Sequence, residues 1–158
     1  MSARSRGDFF FYLISLANIR RTCIKEVPDN LILHLKRFDF DMETLLRKKL
    51  NDHFEFPTEL DLAPFLAENV DKDPSEMNDV AKQEYVLSGV LVHSGTADSG
   101  HYYSYIKSRD ESKEGTWFLF NDSLVEKFDS TSIPETCFGG TGRTGFKSLN
   151  FSNAYMLL

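Results

Sequence analysis

Cysteine is scarce in this sequence, two residues in 158 (Cys23 and Cys137), and no C-x-x-C pair occurs. That excludes a disulfide framework and a thiolate zinc site of the usual spacing, and it suits a reducing compartment. A basic surplus is also missing: 18 Lys and Arg stand against 24 Asp and Glu, a formal net charge of −6. A nucleic-acid binder that relies on phosphate contacts is therefore excluded. Long apolar runs are absent as well. The longest, Phe9 to Ala17, is too short to span a bilayer, and although Arg4 and Arg6 before it imitate a signal peptide, it reads more simply as a buried strand or helix. No internal repeat or low-complexity tract is visible. What remains is 41% hydrophobic, 13% aromatic and 27% charged, the composition of one globular domain.

Charge is unevenly distributed. Residues 1–25 carry Arg4, Arg6, Arg20, Arg21 and Lys25 against Asp8, a net of +4, whereas residues 51–84 hold ten acids against Lys72 and Lys82, a net of −8. The acids concentrate between Glu68 and Asp79, which reads as a solvated loop with a helix-friendly lead-in at Phe65-Leu66-Ala67. The strongest strand signal is Leu31 to Phe38, following the turn residues Pro28-Asp29-Asn30. Further β-type runs are Tyr85 to His93, His101 to Lys107, Trp117 to Phe120 and Ala154 to Leu158, while Met42 to Leu50 is read as a helical turn or two. The pattern predicts an α+β fold, mainly antiparallel sheet with few short helices.

One segment carries chemistry. Between Tyr85 and Tyr103 the chain runs strand, then a loop with Gly95 and Gly100 at its ends, then His101 at the start of a second strand. Such a histidine leaves one ring nitrogen open to a reacting group while its surroundings fix the other, as a general base requires. If His101–Lys107 pairs with 116–120 across the polar connection 108–115, the hairpin is centred at about 111.5 and residue 101 faces about 122. Asn121 and Asp122 are then both candidates to accept an imidazole N–H, and a histidine so oriented is two thirds of a cysteine-hydrolase site.

At these residues the sequence resembles the ubiquitin-specific proteases, which are papain-like cysteine peptidases. The family's histidine box has the form Y-x-L-x-G-V-x-x-H-x-G-x-x-x-x-G-H-Y, matched by Tyr85, Leu87, Gly89, Val90, His93, Gly95, Gly100, His101 and Tyr102. Cys23 to Phe38, Phe54-Glu-Phe-Pro57, Trp117 to Ser123 and Asn153 to Leu157 are similar to further family segments, nearest to those of the large faf-like branch. The resemblance implies a palm-like sheet and assigns residues 19–158 to the C-terminal portion of the protease domain, with 1–18 an unmatched N-terminal segment. It implies that His101 is the general base and that Asn121 orients it. Asp122 is a second polar group that shares this task or assists the oxyanion. The loop Ser94–Gly100 is similar to the loop that gates the channel for the ubiquitin tail, and His93, Gly100 and Tyr102 are expected along that channel. Ubiquitin and ubiquitinated proteins are the implied partners, in the cytoplasm or nucleus, with no cofactor or metal required.

The family's nucleophile box, of the type G-L-x-N-L-G-N-T-C, is not in this sequence, nor are the zinc-binding pairs of the family's fingers. The expectation is thus the histidine-bearing part of a deubiquitinating thiol hydrolase, inactive alone and partnered by the absent N-terminal half. Two rivals stand beside it: a noncatalytic ubiquitin-binding module, and a hydrolase that uses Cys23 or Cys137. Two other motifs are decoys. Gly140 to Ser148 imitates a phosphate loop but has Phe146 where lysine must stand, and the sequons at Asn121 and Asn150 carry no meaning in a reducing compartment.

Overall fold

A computed structural model describes residues 22–73, 75–110, 115–140 and 151–158. Its centre is a six-stranded antiparallel sheet built from β1 (Leu33–His34), β6 (Gly89–Gly95), β7 (Gly100–Lys107), β8 (Trp117–Asn121), β9 (Leu124–Phe128) and β10 (Asn153–Leu157), in the order β1-β10-β6-β7-β8-β9. Two two-stranded sheets flank it, the hairpin of β2 (Phe38–Asp41) with β3 (Leu46–Lys49), and the pair β4 (Glu59–Asp61) with β5 (Glu84–Val86). The only α-helix among the described residues is α1 (Ile133–Cys137), with short 3-10 turns at Ala63–Phe65, Glu76–Asp79 and Ser130–Ser132. The α+β expectation, mainly antiparallel, holds.

Strand alternation builds the core. Val90 and Val92 of β6, Tyr105 of β7, Trp117 of β8 and Ala154 and Leu157 of β10 point to one face, where Phe56, Ile133 and Cys137 close over them. Tyr105 stacks on Phe128 with ring centroids 3.7 Å apart, and Phe56 meets Phe138 edge-on at 4.8 Å. Ser104 faces Phe120, and Phe120 faces Val125, on the opposite side of the sheet, so Ile106, Phe120 and Val125 form a largely exposed apolar face.

Several local expectations change. Leu31–Phe38 is not one strand: Leu33–His34 pairs with β10 and Phe38 opens β2, and between them Arg37 turns inward and is almost wholly buried. The run Tyr85–His93 is divided at Leu87–Ser88, where the chain leaves β4 for β10: Leu87 N–H donates to Thr58 O and Ser88 N–H to Leu158 O. Met42–Leu50 is a turn and a strand, not helix. Asp41 Oδ1 accepts from the N–H groups of Glu43 and Thr44, Leu45 turns the chain at φ 57°, and Asp39 then faces Lys48 across the ladder. Strands β4 and β9 and helix α1 were not anticipated. The apolar run Phe9–Ala17, the Asn150 sequon and most of the Gly140–Ser148 motif lie outside the described residues.

Candidate active site

His101 is the second residue of β7, and Asn121 is the last of β8, so both stand at the same end of the central sheet. The ladder is displaced by one residue from the sequence estimate: Ser104 faces Phe120, not Leu119. The side chains nevertheless meet, His101 Nε2 lying 2.6 Å from Asn121 Oδ1. Because an amide oxygen only accepts, Nε2 carries the proton, and the neutral ring presents its lone pair at Nδ1. Strict alternation would send Asp122 to the other face. The strand instead ends at Asn121, and Asp122 adopts φ 52° in the two-residue turn before Leu124, which brings its Oδ2 to 3.8 Å from His101 Nε2. The contact is at ion-pair range and longer than a hydrogen bond. Its carboxylate remains largely exposed, so Asn121 holds the ring and Asp122 adds a nearby negative charge.

The other three expected site residues cluster around the adjoining hairpin mouth. Gly95 and Gly100 face one another where β6 and β7 meet the loop. Gly95 has φ 116°, and a Cβ there would stand 2.5 Å from Ser99 O, so only glycine fits. A Cβ on Gly100 would collide with His93 Nε2. The buried His93 ring therefore seats directly beneath the loop, between Phe38 at 5.0 Å and Tyr102 at 4.7 Å, ring centroid to centroid. Burial, aided by nearby Lys49, holds its pKa below the ordinary imidazole value, which keeps it neutral at pH 7. The loop is closed on itself by Thr96 N–H to Ser99 O at 2.8 Å and by Thr96 Oγ1.

A cleft of about 550 Å³ lies between this loop with Tyr102 on one side and Phe38, Phe40 and Arg47 of the β2–β3 hairpin on the other. Gly100 and Tyr102, the chain neighbours of His101, are in its wall. The sequence did not point to Phe38, Arg47 or Tyr155, whose ring lies 5.7 Å from Phe38 and 5.4 Å from Tyr102. The aromatic spacing of the hairpin and last strand was the one available signal. A larger groove, about 1020 Å³, lies among Leu31, Leu33, Phe56, Tyr85 and Leu157 and contains none of the polar site residues.

Cys137 does not suit the part of nucleophile. It is fully buried among core side chains, and burial pushes its thiol up to about 11, so it stays protonated at neutral pH. The described partners of His101 are Asn121 and Asp122, and neither cysteine is among them.

Comparison with known proteins gives the family. The family model described as ubiquitin carboxyl-terminal hydrolase matches residues 9–158, beginning inside the segment for which the sequence offered no motif. Ubiquitin carboxyl-terminal hydrolase 34 of Mus musculus is 41% identical over 134 residues, covering 77% of this chain and 4% of that protein. Ubiquitin carboxyl-terminal hydrolase 15 of Schizosaccharomyces pombe is 41% identical over 140 residues, covering 85% and 12%. Among solved structures, the SAGA deubiquitinating module containing Ubp8 bound to ubiquitin aldehyde is similar with a TM-score of 0.61 and 29% identity, over 85% of this chain and 25% of that one. The chain thus spans a small part of its curated relatives and about a quarter of the structural neighbour. With a family model matched over residues 9–158 and relatives 41% identical, it belongs to the ubiquitin carboxyl-terminal hydrolase family.

Proposed function

We propose that this chain is the histidine-bearing part of a thiol-dependent deubiquitinating hydrolase that cleaves the bond after the last glycine of ubiquitin. The observation that carries the reading is the 2.6 Å contact of His101 Nε2 with Asn121 Oδ1, beside the cleft walled by Gly100 and Tyr102, in a chain of this family. His101 is the general base and Asn121 orients it, with Asp122 as a second polar group near the ring. Nδ1 accepts the proton of a cysteine thiol, and the thiolate sulfur bonds to the glycine carbonyl carbon. As the C–N bond breaks, Nδ1 returns the proton to the leaving amine. Water then attacks the thioester, giving its proton to Nδ1, and the regenerated thiol takes that proton back. His93, Gly100 and Tyr102 line the passage for the tail, whose terminal glycines have no side chains to obstruct so close an approach.

The cysteine comes from outside these 158 residues, on an N-terminal part of the domain that covers the exposed face of Ile106, Phe120 and Val125. Cytoplasm or nucleus, both reducing, is the proposed location. The missing nucleophile box favours one second reading, a noncatalytic ubiquitin-binding module.

Titration of the full chain with ubiquitin, followed by NMR, tests the proposal. Perturbation of His101, Tyr102 and the 96–100 loop is expected, with no turnover of a fluorogenic ubiquitin amide by the chain alone. Binding that leaves these residues unmoved, or none at millimolar ubiquitin, contradicts the assignment. Adding the N-terminal part of the domain separates the readings, since only the hydrolase gains turnover.

A further inference from the structure

The β6–β10 ladder ends at the pair His93–Asn153. Continued in register, it would set Phe151 opposite Gly95, but a side chain takes the place of the next rung. Lys49 Nζ donates to His93 O at 2.9 Å, to Gly95 O at 3.2 Å and to Phe151 O. An ammonium has three N–H donors, and all three are used on backbone carbonyls. No carboxylate of the described residues pairs with it; its titratable neighbours are Arg37, which opposes its charge, and His93, whose ring is neutral.

Lys49 belongs to the hairpin whose Phe38, Phe40 and Arg47 form the opposite wall of the cleft, without lining the cleft itself. It is the last residue of β3 and faces Phe38, whose ring rests on His93. We propose that Lys49 is a positioning residue that fixes the β2–β3 hairpin against the mouth of the β6–β7 hairpin, setting the width of the cleft and the approach of the chain to His101. Gly95 is the pivot, since its carbonyl is held by Lys49 while its Cα faces Gly100, the residue before His101. A guanidinium cannot reproduce this, because its donors lie in one plane, whereas the three carbonyls surround a tetrahedral nitrogen. The consequence for ubiquitin binding rests on the function proposed above; the coupling of the two walls does not.

Titration gives the proposal a readout that a merely structural lysine would not have. Burial and Arg37 lower the Lys49 pKa to about 8, and the neutral amine keeps only two donors for three carbonyls. The amides of Ser94, Thr96 and Ser152 share peptide groups with those carbonyls. In the full wild-type chain their 15N shifts are expected to move together between pH 6.5 and 9.5, all three with one midpoint of about 8. His93 titrates further to the acid side and does not interfere. In Lys49→Arg the common midpoint should vanish, and in Lys49→Met the three amides should sit at pH-independent positions. Ubiquitin affinity in Lys49→Met should fall about tenfold, as when the binding-ready arrangement is populated about one part in ten. Amides that do not co-titrate in the wild type, or that keep wild-type shifts in a folded Lys49→Met, overturn the proposal; if Lys49→Met does not fold, the wild-type titration and Lys49→Arg decide. A wild-type chain that ignores ubiquitin defeats the proposed function while the amide titration still decides on Lys49.

Discussion

The β6–β7–β8 meander and the segment from Arg37 to Asp52 approach the same cleft but are held by different forces. In the meander, backbone ladders run unbroken from Gly89–Ile106 to Gly95–Gly100 and from Ser104–Phe120 to Lys107–Trp117, above a core containing Val90, Val92, Tyr105 and Trp117. Strand pairing alone delivers His101 beside Asn121. The second segment contributes little to the core and is held by polar side chains: two cations, and Asn153, whose Nδ2 donates to Leu50 O at 3.2 Å and to Asn51 Oδ1 at 2.8 Å. Arg37 gives Nε to Ala154 O at 3.2 Å and Nη1 to Asp52 O at 2.7 Å, and Lys49 gathers three carbonyls of its own. Apolar burial places His101, and side-chain hydrogen bonds, chiefly from cations to carbonyls, place the wall opposite. The first is tolerant of polar change nearby, while the second depends on single side chains.

The sharpest way to break the comparison is in an enzyme completed with the nucleophile-bearing part of its domain. His101→Ala should abolish nearly all turnover, Asn121→Ala should lower kcat by roughly 10² to 10⁴, and Asp122→Ala should be mildest, with ubiquitin affinity unchanged in all three. Steady-state kinetics check the order. An Asp122→Ala defect matching His101→Ala, beside near-normal Asn121→Ala, would move the orienting role to the carboxylate.

Next come the supports of each region, measured by urea unfolding of the chain. Arg37→Leu leaves buried carbonyls without donors and should cost about 3 kcal/mol, compared with roughly 2 kcal/mol for the cavity made by Val92→Ala in the meander. Equal and small losses for both would remove the distinction drawn between them. Gly100→Ala should cost about 1–3 kcal/mol, the usual range for overpacking, and should shift the His93 and Tyr102 ring resonances, since the added methyl meets the His93 ring and lies 2.5 Å from Ser94 O.

The smallest expected effect is a pH dependence. The Lys49 pKa is about 8 in the fold and 10.5 as its ordinary value. Between these values the unfolded chain binds more protons, so this lysine makes stability rise with pH from about 8 to 10.5, having opposed folding below that window. The increment is the difference between wild type and Lys49→Met. It should be compared below pH 10, where the tyrosines, Tyr105 above all with its pKa raised by burial, still contribute little. A wild type and variant with parallel stability profiles from pH 7.5 to 9.5 would show that Lys49 is not buried in the solution structure.

The two regions also differ in how far they could be read from the sequence. Runs of β-formers and aromatics announced β6, β7, β8 and β10, and hairpin counting brought His101 to Asn121 and Asp122 despite a one-residue error in register. The error was harmless because a histidine reaches across a rung. The left-handed turn at Asp122 could not be foreseen, since aspartate at positive φ is set by the two-residue connection to β9, itself too short to stand out. Around Lys49, local pattern failed for a physical reason. Leu46-Arg-Lys-Lys49 has no strand alternation of its own, and its pairing follows from the Asp41-capped turn and from carbonyls more than 40 residues distant in sequence. The cleft wall formed by Phe38 and Arg47, with Tyr155 packed against Phe38, was hidden for the same reason, being assembled from three separate elements.

The central claim is that Asn121 holds His101 through Nε2 and leaves Nδ1 as the base. The tautomer of His101, read from its ring 15N shifts above the imidazole pKa, tests this most directly. The wild-type chain should show the Nε2–H form, and Asn121→Ala a mixture of the two tautomers. A wild-type ring protonated at Nδ1, or a tautomer ratio that ignores Asn121→Ala, would contradict it.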